Sequence, residues 1–337
     1  MDRREVARAR ARMQAAVREF LTRREFDEVE TPCLVPEPAM EPHIDAFRAP
    51  FVPEGGGAAR PLWLHSSPEY AMKRLLAEGF PRIFQLARVF RNGEVSDTHN
   101  PEFTLLEMYR AHTDYRGIME DLEETVAACA RAVTGGTRIS VGGRPLELAP
   151  PFERLTAQEA FQTRAGVDLA ACDGRADRLR AALRERGLGV AGDGDSFDDL
   201  YFRVFLEVVE PTLGLGRPTY LVDWPAPMAA LSRLKPGDPR VAERFELYAG
   251  GLELANGFSE LTDAAEQRRR LMEEQGLRAR LGRPVYPLDE RFLAALPRMP
   301  EAGGVALGLD RLLMLLVGAR TIDEVLLFPA REFLAPR

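Results

Sequence analysis

Lysine is almost missing from this 337-residue chain, since Lys73 and Lys235 are the only two among its 45 lysines and arginines. That skew fits a bias of genome composition and carries no functional reading by itself. Cysteine is scarce too: Cys33, Cys129 and Cys172 are odd in number and far apart, with no CxxC pair and no histidine at metal-ligand spacing. Disulfides and a zinc centre are therefore not indicated, and the three read as buried thiols of a reducing cytoplasm. Long apolar runs are also lacking. The most apolar segment, Val305 to Val317, is interrupted by Asp310 and Arg311, and no apolar stretch follows the N-terminal arginines, so neither export nor a membrane span is expected. Positive charge is not in excess. At a formal −7 the surface should repel a phosphate backbone, and nucleic-acid binding would need a local basic patch.

With 45% hydrophobic residues, no internal repeat and no low-complexity tract, the chain reads as one globular unit over 1–337. Val6, Met13, Val17, Phe20 and Leu21 recur at helical steps, and Val29 to Val35 follows as a strand candidate. Pro36 to Pro61 reads as loop and hairpin, and Leu62 to His65 as a short strand. Ser67-Pro68-Glu69 predicts a helix over about 68–78, with Ser67 as its cap and Pro68 in its first position. Ile83–Arg91 and Phe103–Ala111 are strand-like, should pair antiparallel, and are joined by a polar loop from Asn92 to Glu102. A helix is expected over 114–133 and a mostly helical insertion around 150–215, with a surface loop at 187–199, between Gly187 and Asp199. Then come a strand over 220–224, a hairpin over 243–256 turning at Gly250-Gly251, a charged helix over 262–281, a strand over 304–309 and a helix over 310–318. This pattern predicts an α+β fold: an antiparallel sheet flanked by helices.

A period of two puts Phe103, Glu107 and Tyr109 on one strand face, an arrangement that can line a ligand cleft but could also face solvent. Arg91 ends the preceding strand, and His99 lies in the loop between, so donors for anionic oxygens stand beside that aromatic face. If the second hairpin turns at Gly250-Gly251, position 248 faces 253 and Glu246 shares a face with Glu253. Two such carboxylates repel unless a cation such as magnesium, completed by substrate phosphates, sits between them; otherwise both are surface glutamates. Asn256-Gly257-Phe258-Ser259-Glu260 adds an amide and another carboxylate, and read alone is a loop. Arg311 opens the last helix, where a cation is out of place unless an anion meets it.

Together these segments resemble class II aminoacyl-tRNA synthetases of the lysine branch from about Arg12 to Pro329. Phe20–Val35 with Pro32 looks like motif 1, a dimer-interface element. Phe90-Arg91 through His99-Asn100-Pro101-Glu102-Phe103 to Tyr109 looks like motif 2, and Gly304–Arg311 like motif 3. The resemblance implies the class II catalytic fold, ATP as co-substrate, Mg2+ and a homodimer. It assigns Arg91 and Arg311 as catalytic and ATP-contacting, with Glu94, His99, Asn100 and Phe103 also toward ATP and Glu246 and Glu253 toward metal. Glu69, Glu107, Tyr109, Asn256, Phe258, Glu260 and Ala306 would line the amino-acid pocket.

Two departures stand out. Gly93 occupies the usual motif 2 glutamate position, displacing the carboxylate to Glu94, and Ala306 stands where tRNA-charging lysine enzymes usually have glycine. Motif 1 also begins by Phe20, leaving no room ahead of it for an anticodon-binding barrel. The chain thus resembles a shortened paralogue family that transfers (R)-β-lysine to a lysine of translation elongation factor P in the cytoplasm, with tRNA disfavoured as acceptor. A compact lysyl-tRNA synthetase and an inactive paralogue acting as amino-acid sensor or scaffold are the competing readings.

Overall fold

The computed structural model describes residues 2–188 and 194–334. The N-terminal half runs α1 (Arg3–Arg23), β1 (Asp27–Glu28), β2 (Leu34–Val35), β3 (Trp63–Leu64), α2 (Glu69–Ala77), β4 (Arg82–Phe90), β5 (Glu102–Ala111) and α3 (Tyr115–Thr134). A small hairpin, β6 (Arg138–Val141) and β7 (Arg144–Glu147), leads to β8 (Glu153–Thr156). The helical layer that follows comprises α4 (Ala157–Arg164), α5 (Leu169–Cys172), α6 (Ala176–Glu185) and α7 (Phe197–Val204). The remainder is β9 (Thr219–Pro225), β10 (Leu234–Lys235), β11 (Asp238–Ala249), β12 (Leu252–Ser259), α8 (Ala264–Arg280), α9 (Glu290–Ala295), β13 (Ala302–Gly308), α10 (Leu309–Val317) and α11 (Arg331–Leu334).

One nine-stranded sheet organises these elements in the order β1-β4-β5-β13-β12-β11-β9-β8, with β10 added on β11. Its centre is antiparallel as expected, but β1 lies parallel to β4 and β8 parallel to β9, so the sheet is mixed at both ends. The strand expected over 29–35 is broken: Val29 donates to the Phe84 carbonyl at 2.9 Å and Leu34–Val35 pair with β3, but the residues around Pro32, which has no N–H, join no ladder. Helix α2 begins one residue late. Pro68 takes the cap position and makes no side-chain cap bond, while the Ser67 hydroxyl accepts from the Glu69 amide. The segment 256–260 is not a loop, since β12 continues through Ser259. In the expected 187–199 loop, Phe197–Asp199 already belong to α7, whereas 189–193, including Asp193, lie outside the described residues. Cys129 and Cys172 are buried, but Cys33 is exposed, a correction that follows from its place beside the broken strand.

Alternation along the central strands divides their side chains between two environments. Leu106 and Met108 of β5, Phe245 and Leu247 of β11, and Val305 and Leu307 of β13 pack with Met13 and Val17 of α1, Leu122 and Val126 of α3 and Leu312 of α10. Their strand neighbours point to the opposite face, which α2 and α9 border at one end and the helical layer at the other. On the core face strands approach closely because a glycine leaves room: a Cβ on Gly257 would stand 2.4 Å from the Phe245 ring and 2.6 Å from the Gly304 carbonyl oxygen. Gly257→Ala should therefore lower unfolding free energy by about 1–3 kcal/mol in urea titration. Gly136→Ala, with nothing within 4 Å of the added carbon, should stay within about 0.5 kcal/mol of the parent.

Candidate active site

The second sheet face opens into a cavity of about 590 Å³. All the residues singled out above line it: Glu69, Arg91, Glu94, His99, Asn100, Phe103, Glu107, Tyr109, Glu246, Glu253, Asn256, Phe258, Glu260, Ala306 and Arg311. Seven elements or loops bring them together across more than 240 positions of sequence. β5 supplies Phe103, Glu107 and Tyr109, β12 supplies Glu253, Asn256 and Phe258, and Glu260 follows directly after it. The register pairs Glu107 with Ala306 and Ala306 with Asn256, so three adjacent strands present these side chains in one row.

One end is cationic. The guanidinium carbon of Arg91 lies 5.0 Å from the Phe103 ring centre, its Nη1 is 3.9 Å from a Glu94 oxygen, and its Nε is buried without a partner. Gly93 turns the chain at φ +86°, and Glu94 beyond it still reaches the cavity despite its displacement in sequence. Arg311 donates to the carbonyls of Glu253 and Thr98 and to His99 Nε2 at 2.7 Å. Because a guanidinium only donates, Nε2 must be the acceptor, which puts the ring proton on Nδ1, facing Ser96 Oγ at 2.7 Å. Burial, then the charges of Arg311 and Arg91, hold His99 below the usual histidine range, consistent with this neutral form. The Asn100 amide is engaged by backbone: it donates to the Glu102 carbonyl and accepts from the Ala330 amide, bracing the loop.

The other end is acidic and buried. Glu107 is fully buried, receives Ser67 Oγ at 2.5 Å and the Tyr109 hydroxyl at 2.8 Å, and is pushed up to about 8 by burial and then by Glu69. Glu260 is also buried, with Lys73 Nζ 2.5 Å from Oε2 in an oblique ion pair, and Oε1 has no hydrogen-bond partner. Burial brings it up to about 7, against the pull of Lys73. Gly304 is needed for this arrangement, since a Cβ there would lie 2.1 Å from Glu260 Oε1 and 2.4 Å from the Tyr109 ring. Asn256 Oδ1 is likewise buried without a partner.

Between the ends stand Glu246 and Glu253. The strands pair Tyr248 with Glu253 and, past a bulge, Glu246 with Asn256. Glu246 accepts from Arg244 at 2.6 Å and from the Tyr248 hydroxyl, and burial, partly offset by Arg244 and reinforced by Glu253, raises it to about 7. Among the described residues no cluster of three or more metal-ligating side chains occurs. A carboxylate pair in which the charge of Glu253 bears on Glu246 fits a divalent cation whose remaining ligands are phosphate oxygens.

Several participants escaped the sequence reading. Lys73, Glu41 and Glu274 belong to the acidic end, and Arg244 stacks 4.3 Å over Trp224 while holding Glu246. Lys73 lies four residues after Glu69 on a predicted helix, a spacing that normally marks a solvated pair. Glu41 and Glu274 come from a loop and from α8, and no local pattern marks them.

Raised carboxyl values carry a stability consequence. A carboxyl whose folded value exceeds its unfolded one favours folding at low pH, and that contribution is lost as pH climbs through the folded value. Stability should therefore fall between about pH 5 and 8 as Glu107 and its neighbours ionise. Glu107→Gln should raise the melting temperature at pH 8.5 by on the order of several °C and leave it nearly unchanged at pH 5. Parallel melting curves for the two proteins across that range would refute the assignment.

Comparison with known proteins agrees with this geometry. The family described as tRNA synthetases class II (D, K and N) matches residues 2–332. An elongation factor P–(R)-β-lysine ligase of Haemophilus influenzae is 41% identical over 323 residues, covering 95% of this chain and 93% of the relative. The corresponding ligase of Haemophilus ducreyi is 43% identical over 324 residues, covering 95% and 92%. A lysine–tRNA ligase of a Synechococcus species is 40% identical over 329 residues, covering 97% of this chain but 64% of the relative. The fold, the cavity and these matches lead to one conclusion: the chain belongs to the class II tRNA synthetase family of the D, K and N type.

Proposed function

We propose that this protein is an ATP-dependent ligase that activates (R)-β-lysine, or lysine, as an aminoacyl-adenylate and transfers it to the ε-amino group of a lysine on elongation factor P. The observation that carries the reading is a single cavity with arginines at one end and buried carboxylates at the other. A triphosphate fits the first and a diammonium the second.

Phe103 offers a ring for the adenine, with Glu94 beside it; Arg91 meets the α-phosphate, and His99 and Arg311 meet the outer phosphates. Asn100 contributes by holding the loop that carries His99. Glu246 and Glu253 would hold Mg2+, which when bound neutralises phosphate charge. Glu69, Glu107 and Glu260 take the ammonium groups, with Tyr109, Asn256 and Phe258 shaping the pocket and Ala306 narrowing its floor. The substrate carboxylate oxygen bonds to the α-phosphorus as the bond to pyrophosphate breaks. The acceptor amine then bonds to the carbonyl carbon, AMP leaves, and the amine gives up a proton. Positioning and fixed charge supply the catalysis, and no nucleophilic side chain is required.

Elongation factor P is favoured over tRNA as acceptor by the near-complete mutual coverage with the named ligases and by the acidic net charge of −7. No helix among the described residues is long and apolar enough to cross a membrane. A cytoplasmic homodimer paired through Phe20–Val35 completes the reading.

Intact mass spectrometry of elongation factor P after incubation with enzyme, ATP, Mg2+ and each lysine isomer should show a gain of one lysyl group, abolished by EDTA. Ala306→Gly should shift the choice between isomers by about 1–3 kcal/mol in kcat/KM. Robust charging of purified tRNA with no mass gain on the factor would replace this reading with a compact synthetase.

A further inference from the structure

Lys73 is a full cation with 1% of its side chain exposed, packed against two carboxylates that line the acidic end of the cavity. It projects from α2, pairs with Glu69 one turn earlier on the same helix, and reaches Glu260 at the end of β12. Burial disfavours its charge, but Glu260 and Glu69 outweigh that and hold it firmly protonated. Glu107, on β5, feels the same ammonium, although its own hydrogen bonds come from the neutral donors Ser67 and Tyr109. Two further acids bear on Glu69. Glu274 of α8 is pushed up to about 8, chiefly by burial, and Glu41 of the loop faces Arg91. Both stand at the same acidic end, but each feels an arginine of its own, Arg270 for Glu274 and Arg91 for Glu41, whereas Glu69 and Glu260 share Lys73.

We infer that Lys73 is a built-in counter-ion that determines specificity: by occupying one carboxylate's worth of charge, it leaves the pocket two negative charges for a substrate carrying two ammonium groups. The inference rests on the proposed diammonium substrate and deepens it. When such a substrate is bound, Glu69, Glu107 and Glu260 are all ionised, and the single internal ammonium brings the set to neutrality. A compact ammonium suits the place, because a guanidinium is wider and planar and would need room for a fork between two closely spaced carboxylates. In a chain that uses arginine almost everywhere else, one of only two lysines stands here. Its distances assign it as a positioning residue, acting through Glu69 and Glu260.

Without the internal ammonium, one of those carboxyls must take a proton near neutrality, and substrate must displace it. Lys73→Met should therefore raise the KM for the lysine isomer in ATP–pyrophosphate exchange by about tenfold at pH 6.5, one pKa unit corresponding to a factor of ten. The ratio to wild type should shrink to about threefold or less at pH 8.5, where the carboxyl ionises without help. The KM for ATP should stay unchanged. The analogue bearing a hydroxyl in place of the side-chain ammonium should lose less than lysine does, so discrimination narrows. In Lys73→Ala, added ethylammonium or propylammonium should lower the KM again, while 1-propanol should not. A KM increase independent of pH and unresponsive to the amines would overturn the inference, as would an unchanged KM or the unfolding of both variants. If wild-type protein shows no exchange with any lysine isomer, it is the proposed function that fails instead.

Discussion

Desolvation of carboxylates on one face of the central sheet is the constraint around which the cavity is arranged. Burying a charged group is costly unless it finds a partner or gives up its charge. At the acidic end both outcomes are used: Lys73 pairs with Glu69 and Glu260, whereas Glu107 rests on two neutral donors and is held near a value of about 8. Such groups are poised to gain from an arriving cation. At the opposite end Arg91 keeps a buried Nε unpartnered, and Arg311 donates to carbonyls and a neutral imidazole with the Glu253 carboxylate 3.6 Å away. Each end thus keeps buried polar atoms without a partner, Arg91 Nε at one and Glu260 Oε1 at the other.

The sheet makes this separation possible because it is both close-packed and small at its centre. β13 lies between β5 and β12, and its small residues Gly304, Ala306 and Gly308 face the cavity, so the long side chains of the neighbouring strands can lean over it. The same strand turns Val305 and Leu307 into the core against α3 and α10. One strand thus anchors the fold with its larger side chains and makes room for ligand with its smaller ones.

Much of this arrangement is legible in the order of the amino acids. The pairing of β4 with β5, the turn at Gly250-Gly251 and the face shared by Phe103, Glu107 and Tyr109 all follow from local alternation and turn chemistry. What escapes is long-range or context-dependent. Nothing local marks Glu41 or Glu274 as neighbours of Glu69, since loop and helix meet only through packing. Lys73 stands at a helical spacing from Glu69, but burial, which changes its meaning, depends on strands that come much later in the chain. The strand expected over 29–35 fails because a proline within it cannot sustain pairing. The parallel edges of the sheet reflect crossover connections that periodicity does not encode.

Asp310 receives Arg10 of the first helix at 2.5 Å on one oxygen, and its other oxygen accepts the Thr104 amide at 2.6 Å. The N-terminal helix and the strand carrying Phe103 are thereby joined in series through one buried side chain that itself borders the cavity. Arg10 and Thr104 share one carboxylate, so the outer helical layer and the strand that carries Phe103 are held a single side chain apart.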